Sequence, residues 1–208
     1  MMDIVSIMQE KVADDINERI ARRVRDLRAA QGHSLDALAA RCGVSRSMIS
    51  LIERASASPT AVVLEKLATG LGVPLASLFD APGDAALPQP VVRRAEQPQW
   101  RDPASGYLRR NVSPPHWPSP IQIVEVEFPA GARVAYETGA RDATIHQQVW
   151  VLDGRIDITL GDEQHTLRAG DCLALRLDRP MVYANPSRQA ARYAVVICAQ
   201  VGATGRNG

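Results

Sequence analysis

Residues 42–54 read CGVSRSMISLIER, and the N-terminal half of the chain is decided by their spacing. Gly43 bounds the stretch. Ser45, Arg46, Ser47 and Ser50 are small, polar or basic, while Met48, Ile49 and Ile52 are apolar. That recurrence predicts a short helix with one oily face and one face built to touch a polar partner. Ser45 is its expected N-cap, and Gly43 the expected stop of the helix before it.

Working outward, Asp15 to Phe79 carries five short helical patterns. In DDINERIARRVRDLRAAQG, Ile16, Ile20, Val24 and Leu27 fall on one stripe before Gly32. SLDALAARCG opens on Ser34 as N-cap and closes on Gly43, and SRSMISLIER opens on Ser45. TAVVLEKLATGLG follows Pro59 and Thr60, and VPLASLF completes the set. Proline then marks a boundary: nine of the 14 prolines lie between Pro82 and Pro120. Proline breaks helices and favours extended backbone, so a connector is expected there. Its VVRRAEQPQW segment is a candidate first strand of the C-terminal domain.

Beyond Ile121 the texture is β-rich. IQIVEVEF, IHQQVWVL, GRIDITL, EQHTL, DCLALRL, MVYAN and ARYAVVICAQ alternate with turn signals such as PAG, DG, GDE, AGD and NPS. Seven or eight short strands at this spacing predict a small sandwich or barrel. The expected layout is an N-terminal extension over 1–14, a helical domain over 15–80 and a proline-rich linker with the start of the barrel over 81–120. A β-barrel over 121–201 and a disordered tail over 202–208 complete it.

The run LDALAARCGVSRSMISLIER, then SPT, then LEKLATGLGVPLASLF resembles the lambda-repressor/Cro-type (XRE) helix-turn-helix family. The resemblance places Leu38, Ala39, Val44, Ile49, Ile52, Leu64, Leu67, Ala68, Leu71, Val73, Leu75 and Leu78 in the core. Glu53 and Arg54 match a frequent Glu-Arg-Gly ending of the recognition helix, except that Ala55 replaces the glycine. It also implies a double-stranded operator DNA as partner, reached by Ser34, Ser45, Arg46, Ser47, Ser50 and Arg54. Chemistry agrees with that assignment. Arg46 can bond guanine bidentately, short hydroxyls reach bases or phosphate, and helix N-termini bind phosphate. Net charge is only +1 for the whole chain, yet Asp15 to Phe79 holds nine Lys/Arg against six Asp/Glu. Glu53 is expected to cap or pair within the domain. One such module buries too little to be both tight and specific, so a homodimer on adjacent turns is expected.

The stretches QVWVLDGRIDITLGDEQHTLRAGD and RPMVYANP resemble a cupin barrel. The whole chain is therefore expected to be multi-domain: an all-α helix-turn-helix domain of five helices followed by an all-β cupin barrel of the jelly-roll type. In that family a histidine pair and a glutamate precede the first-motif glycine, here Gly154, and a second histidine precedes the asparagine, here Asn185. Gln147 stands at the glutamate position, Met181 at the second-motif histidine, and Arg141 and Ala143 near the histidine pair. A neutral amide and a thioether replace carboxylate and imidazole poorly, so no metal and no cofactor is expected. His146 faces away from Gln147 by strand alternation and would need a register shift to serve. His116 and His165 are expected at the surface. The barrel still offers a pocket for a small-molecule effector, with Arg141, Gln147, Met181 and Tyr183 as candidate lining against ordinary barrel packing, and Arg141 as a candidate anion partner.

Composition excludes several classes. No window approaches the length of an apolar membrane span, and MMDIVSIMQEKVADD has no signal-peptide core, so a cytoplasmic protein is expected. Cys42, Cys172 and Cys198 are far apart and odd in number, which suits buried small apolar residues better than disulfides or zinc. The favoured function is a non-enzymatic DNA-binding transcriptional regulator. A cupin-type metal-dependent oxygenase carrying a helix-turn-helix domain, as in phosphonate epoxidases, and an antitoxin-like partner protein are the alternatives.

Overall fold

The computed structural model describes residues 4–79, 88–137 and 144–200. Four α-helices come first: α1 (Ile4–Ala30), α2 (Leu35–Cys42), α3 (Arg46–Glu53) and α4 (Ala61–Gly70). The segment expected as a fifth helix is a 3-10 turn, Leu75–Phe79. It is too short to propagate α-helical hydrogen bonds, and Pro74 at its entrance donates none. The expected stripe is real, because Ile16, Ile20 and Val24 are buried and Leu27 packs against them. Nine of the twelve expected core positions are buried outright, and Ala39, Val73 and Leu75 pack at the rim of the same cluster.

Local chemistry explains the breaks between helices. Ser34 Oγ accepts from the Ala37 N–H at 3.1 Å, and Ser45 Oγ accepts from the Met48 N–H at 3.2 Å. Thr60 does the same for Val63. Gly43 ends α2 at φ 65, a conformation that costs residues with a Cβ. Gly70 matters for a different reason. A Cβ built there would lie 2.6 Å from Cys42 Cβ, so the close approach of α4 to α2 needs its bare backbone.

Ten strands follow: β1 (Gln99–Arg101), β2 (Leu108–Asn111), β3 (Ile121–Phe128), β4 (Arg133–Tyr136), β5 (Thr144–Asp153), β6 (Arg155–Leu160), β7 (Glu163–Arg168), β8 (Cys172–Arg176), β9 (Met181–Ala184) and β10 (Ala191–Gln200). They form two antiparallel sheets, a six-stranded one ordered β1-β2-β3-β10-β5-β8 and a four-stranded one ordered β4-β9-β6-β7. A helical region followed by paired antiparallel sheets is consistent with the cupin expectation. Two strands, β1 and β2, arise inside the proline-rich stretch, and β2 pairs with β3 from Leu108 to Asn111. β4 carries no signal of its own in the sequence; it is only four residues long and is held by pairing with β9.

Strand alternation sorts the larger sheet. Ile145, Val149 and Val151 of β5 face the core, whereas His146, Gln148 and Trp150 face out. Asn185 locks the neighbouring loops: its amide donates to the carbonyls of Phe128, Pro129 and Gln189, and its oxygen accepts from Ser187. The cysteine expectation holds for Cys42, which is buried. Cys198 is half-buried and Cys172 exposed, because both lie on the outer face of the larger sheet. Among the described residues, no helix is long and apolar enough to cross a membrane.

The two halves are packed together. Asp102 Oδ1 accepts from the Ala61 N–H at the start of α4, at 2.9 Å. Lys66 of α4 pairs with Glu137 at 2.9 Å, and the Phe79 ring meets Trp100 with centroids 5.8 Å apart.

Candidate nucleic-acid interface and barrel pocket

α3 buries Ile49, Ile52 and Glu53 and turns Arg46, Ser47, Met48 and Arg54 outward. Met48, expected from sequence as part of the oily face, is exposed. At 100° per residue it sits at the edge of the arc centred on Ile49, Ile52 and Glu53. The inward position goes to Glu53 because a cation meets it there. Arg28 Nε donates to Glu53 Oε1 at 2.6 Å and Arg28 Nη2 to Oε2 at 2.8 Å, a fork on a carboxylate. Arg28 also donates to the His33 carbonyl. Its pKa is raised, chiefly by the hydrogen bond to Glu53. Arg28 therefore holds the domain together.

Other arginines divide the same way. Arg23 donates to the Ser77 carbonyl and Arg41 to the Gly70 carbonyl, both within the domain. Arg46 and Arg54 stay on the outer surface, and Arg46 pairs with Asp36, also exposed, at 3.3 Å. Ser34 and Ser45 are engaged as caps, and Ser45 Oγ also lies 3.1 Å from Ser47 Oγ. Ser50 is half-buried. The structure thus gathers Ser45, Arg46, Ser47 and Arg54 on one surface, with the Ser34-capped end of α2 contributing Asp36 beside Arg46.

The second site lies inside the barrel, against the helical half. Its lining joins Gln147, Met181 and Tyr183, expected from sequence, to Tyr107, Tyr136, Tyr193 and Arg109, with Glu65, Pro74 and Leu75 supplied by the helical side. All four tyrosines of the chain meet there. Tyr107 and Tyr136 hydroxyls lie 3.3 Å apart, Tyr183 stacks on Tyr193 at 5.8 Å, and Tyr136 meets Tyr183 edge-on. Burial is the largest cause that pushes all four phenols above their ordinary range. Arg141 and Ala143 lie outside the described residues. Arg179 also lines the pocket and is half-exposed; the buried cation among the described lining residues is Arg109, which sequence reasoning missed. Its signal was faint: an arginine pair, Arg109-Arg110, in a short strand after Tyr107.

Arg109 is only 7% exposed. Its Nε donates to Asn111 Oδ1 at 3.3 Å and its guanidinium lies 5.3 Å from the Phe79 ring centroid. Arg109 Nη2 has no hydrogen-bond partner among the described residues, and neither has Gln147 Oε1. Burial lowers the Arg109 pKa, while the hydroxyls of Tyr107, Tyr136, Tyr193 and Tyr183 act in the other direction. An arginine stays charged regardless.

Among the described residues, the pocket does not carry the metal-ligand set that the cupin resemblance implies. Gln147 and Met181 offer a neutral amide and a thioether where carboxylate and imidazole are needed. His146 is exposed on the opposite face of β5. His116 lies in an exposed loop at φ 60, and His165 is half-buried on β7 beside Glu163.

The family description "Helix-turn-helix" (HTH_3) matches residues 24–78, the segment from the middle of α1 to the 3-10 turn. The chain carries an HTH_3 helix-turn-helix domain. Similar proteins extend past it. The HTH-type transcriptional regulator SutR of Escherichia coli (strain K12) is 27% identical over 175 residues, covering 84% of this chain and 91% of that protein. The HTH-type transcriptional regulator PuuR of the same strain is also 27% identical over 175 residues, covering 82% and 90%. In fold, the chain is similar to an HTH_3 family transcriptional regulator from Vibrio cholerae. The TM-score is 0.73 at 24% identity, covering 89% of this chain and 98% of that one. Within the HTH_3 domain, α2 and α3 are the two helices joined across Gly43, and α3 is the one whose outer face is polar.

Proposed function

We propose that this chain is a sequence-specific, double-stranded-DNA-binding transcriptional regulator that works as a homodimer and senses a small molecule in its barrel. The observation that carries the reading is α3 itself. Ile49 and Ile52 bury its back, while Arg46, Ser47 and Arg54 stand outward beside two serine-capped helix N-termini. A guanidinium and hydroxyls on such a helix suit base edges, and the capped N-termini suit phosphates. That SutR and PuuR are named transcriptional regulators supports the same class. The reader domain proposed here runs over residues 15–80.

Dimerisation rests on two arguments. A single module of this size binds DNA weakly, and two related by symmetry on adjacent turns read about 34 Å of duplex. The outer face of the larger sheet also leaves Ile121, Ile123 and Trp150 exposed, with Val196 paired across from Ile123 on the same face. A second copy of that face would cover them. The pocket between barrel and helices is the proposed sensing site, since a ligand that favours one relation between the halves shifts operator affinity by its differential binding.

Genome-wide pull-down of bound DNA, followed by fluorescence anisotropy on a recovered site, tests the proposal. Binding weakens steeply with salt because phosphate neutralisation releases counterions. Arg46→Ala weakens the specific site by about 1–3 kcal/mol. A protein that prefers no duplex over heparin sinks the reading, and analytical ultracentrifugation showing a monomer at working concentration removes the dimer.

A further inference from the structure

The pocket holds an imbalance that packing alone does not resolve. Arg109 is buried among tyrosines, bonded through one nitrogen to Asn111, with Nη2 unpartnered among the described residues. Buried guanidinium groups are normally matched by carboxylates or phosphates. Across the same cavity Gln147 Oε1 is a second orphan, and a glutamine amide can turn to present its N–H or its C=O. The remaining walls include Val126, Val134, Ile145, Met181, Val195 and Ile197. Among the described residues, the cavity is therefore a largely apolar chamber with one buried positive charge and a ring of phenol donors.

Charges at the mouth are balanced differently. Glu137 is paired with Lys66 at 2.9 Å, and Arg179 with Asp178 at 2.8 Å, while Glu65 also lines the rim. Glu137 and Asp178 are each matched by a cation, so these pairs add little net charge at the mouth. Among the described residues Arg109 is the buried cation of the cavity, and with apolar walls it suits one negative charge on an organic body. The cavity volume of ≈ 70 Å³ admits about five to seven water-sized atoms at roughly 10–15 Å³ each.

We infer that the pocket binds a small organic monocarboxylate, its carboxylate on Arg109 and the tyrosine hydroxyls and its body against the apolar wall. This rests on the sensing role proposed above and specifies its ligand class. The geometry also couples that ligand to the reader. Arg109 lies over Phe79 at the end of the helical half, and Asn111, its hydrogen-bond partner, donates to the Ala76 carbonyl of the same 3-10 turn. From Phe79 an unbroken series of ring contacts runs through Trp100, Tyr107, Phe128 and Tyr193 to Tyr183. A carboxylate on Arg109 therefore acts at the joint between barrel and helices.

The test is isothermal titration of the full chain with straight-chain monocarboxylates from acetate to hexanoate, with butyramide as the uncharged counterpart of butyrate, and with inorganic phosphate. Saturable carboxylate binding is expected, with butyramide and phosphate weaker by at least about tenfold. Arg109→Met abolishes that preference. Equal binding of butyramide and butyrate, preference for phosphate, no saturable carboxylate binding, or an unchanged Arg109→Met profile overturns the inference. Should Arg109→Met fail to fold, the butyrate-to-butyramide ratio of the natural chain decides. Anisotropy on operator DNA, run on the same preparation without carboxylate, separates the two readings. Intact DNA binding with no carboxylate preference sinks only the ligand, whereas carboxylate binding without DNA binding sinks only the regulator.

Discussion

Asp102, in the loop after β1, accepts a hydrogen bond from the backbone N–H of Ala61, the first residue of α4, at 2.9 Å. A side chain from the β half thereby caps a helix of the helix-turn-helix half. Its second oxygen takes hydrogen bonds from the Ser105 N–H and hydroxyl, so the carboxylate is held in place. Both Asp102 and Ala61 are almost fully buried. A carboxylate at a helix N-terminus also interacts favourably with the helix dipole.

Asp102→Ala removes the acceptor and leaves the Ala61 N–H buried without a partner. The expected loss is about 1–3 kcal/mol, read as a lower midpoint in urea. Hydrogen exchange of the first amides of α4 accelerates by more than that of β3 or β10. Equal acceleration everywhere contradicts a local joint between the halves.

Ala55 follows the capping residue of α3 at φ 55, the left-handed region in which a Cβ is strained. The resemblance to the lambda-repressor/Cro-type family implies a glycine at this position. Relief of strain is worth about 1–2 kcal/mol. Glycine gives back about 0.4–1 kcal/mol through greater freedom of the unfolded chain. Strain wins narrowly: Ala55→Gly raises stability, a sign that thermal or urea unfolding checks directly.

Asp36 holds Arg46 at 3.3 Å on the proposed reading surface, with both side chains mostly exposed. Exposed pairs are worth about 0.2–1 kcal/mol, so the contact competes weakly with DNA. Asp36→Asn frees the guanidinium and removes a negative charge facing phosphate. Operator binding tightens by up to about fivefold, the converse of Arg46→Ala, with folding stability nearly unchanged. Weaker binding in Asp36→Asn would show that Asp36 itself accepts from a base.

The four pocket tyrosines have pKa values raised by burial, so the fold favours their neutral form. Their contribution is complete below the unfolded value of about 10 and is lost as pH climbs from there towards the folded values. Each pH unit in that window costs about 1.4 kcal/mol per tyrosine. Alkaline titration followed by tyrosinate absorbance shows no ionisation until the chain unfolds, then all four together. A stepwise rise starting near pH 10 in folded protein contradicts the buried cluster.

Much of this was readable from local pattern. Ser34, Gly43 and Ser45 announce two helices and the turn between them because capping chemistry is local. The β5 alternation separates Gln147 from His146 because a strand has two faces. Met48 was harder: apolarity favoured it for the core, but at 100° per residue it falls at the edge of the arc that Ile49 and Ile52 bury. Glu53 pairs within the domain as expected, through the fork from Arg28. Arg141, chosen from motif position as the pocket cation, lies outside the described residues. Arg109 came from a strand too short to show a period.

Residue order alone carries the elements and their sidedness: a helical half followed by alternating strands, with the caps and turns that divide them. Folding in three dimensions had to settle that Tyr107, Tyr136, Tyr183 and Tyr193 close around Arg109, and that Asp102 reaches Ala61. The reason is physical. Caps and periodicities act between residues a few positions apart, whereas a pocket and an interdomain cap depend on which distant segments meet when burial of Phe79, Trp100 and Phe128 draws the two halves together.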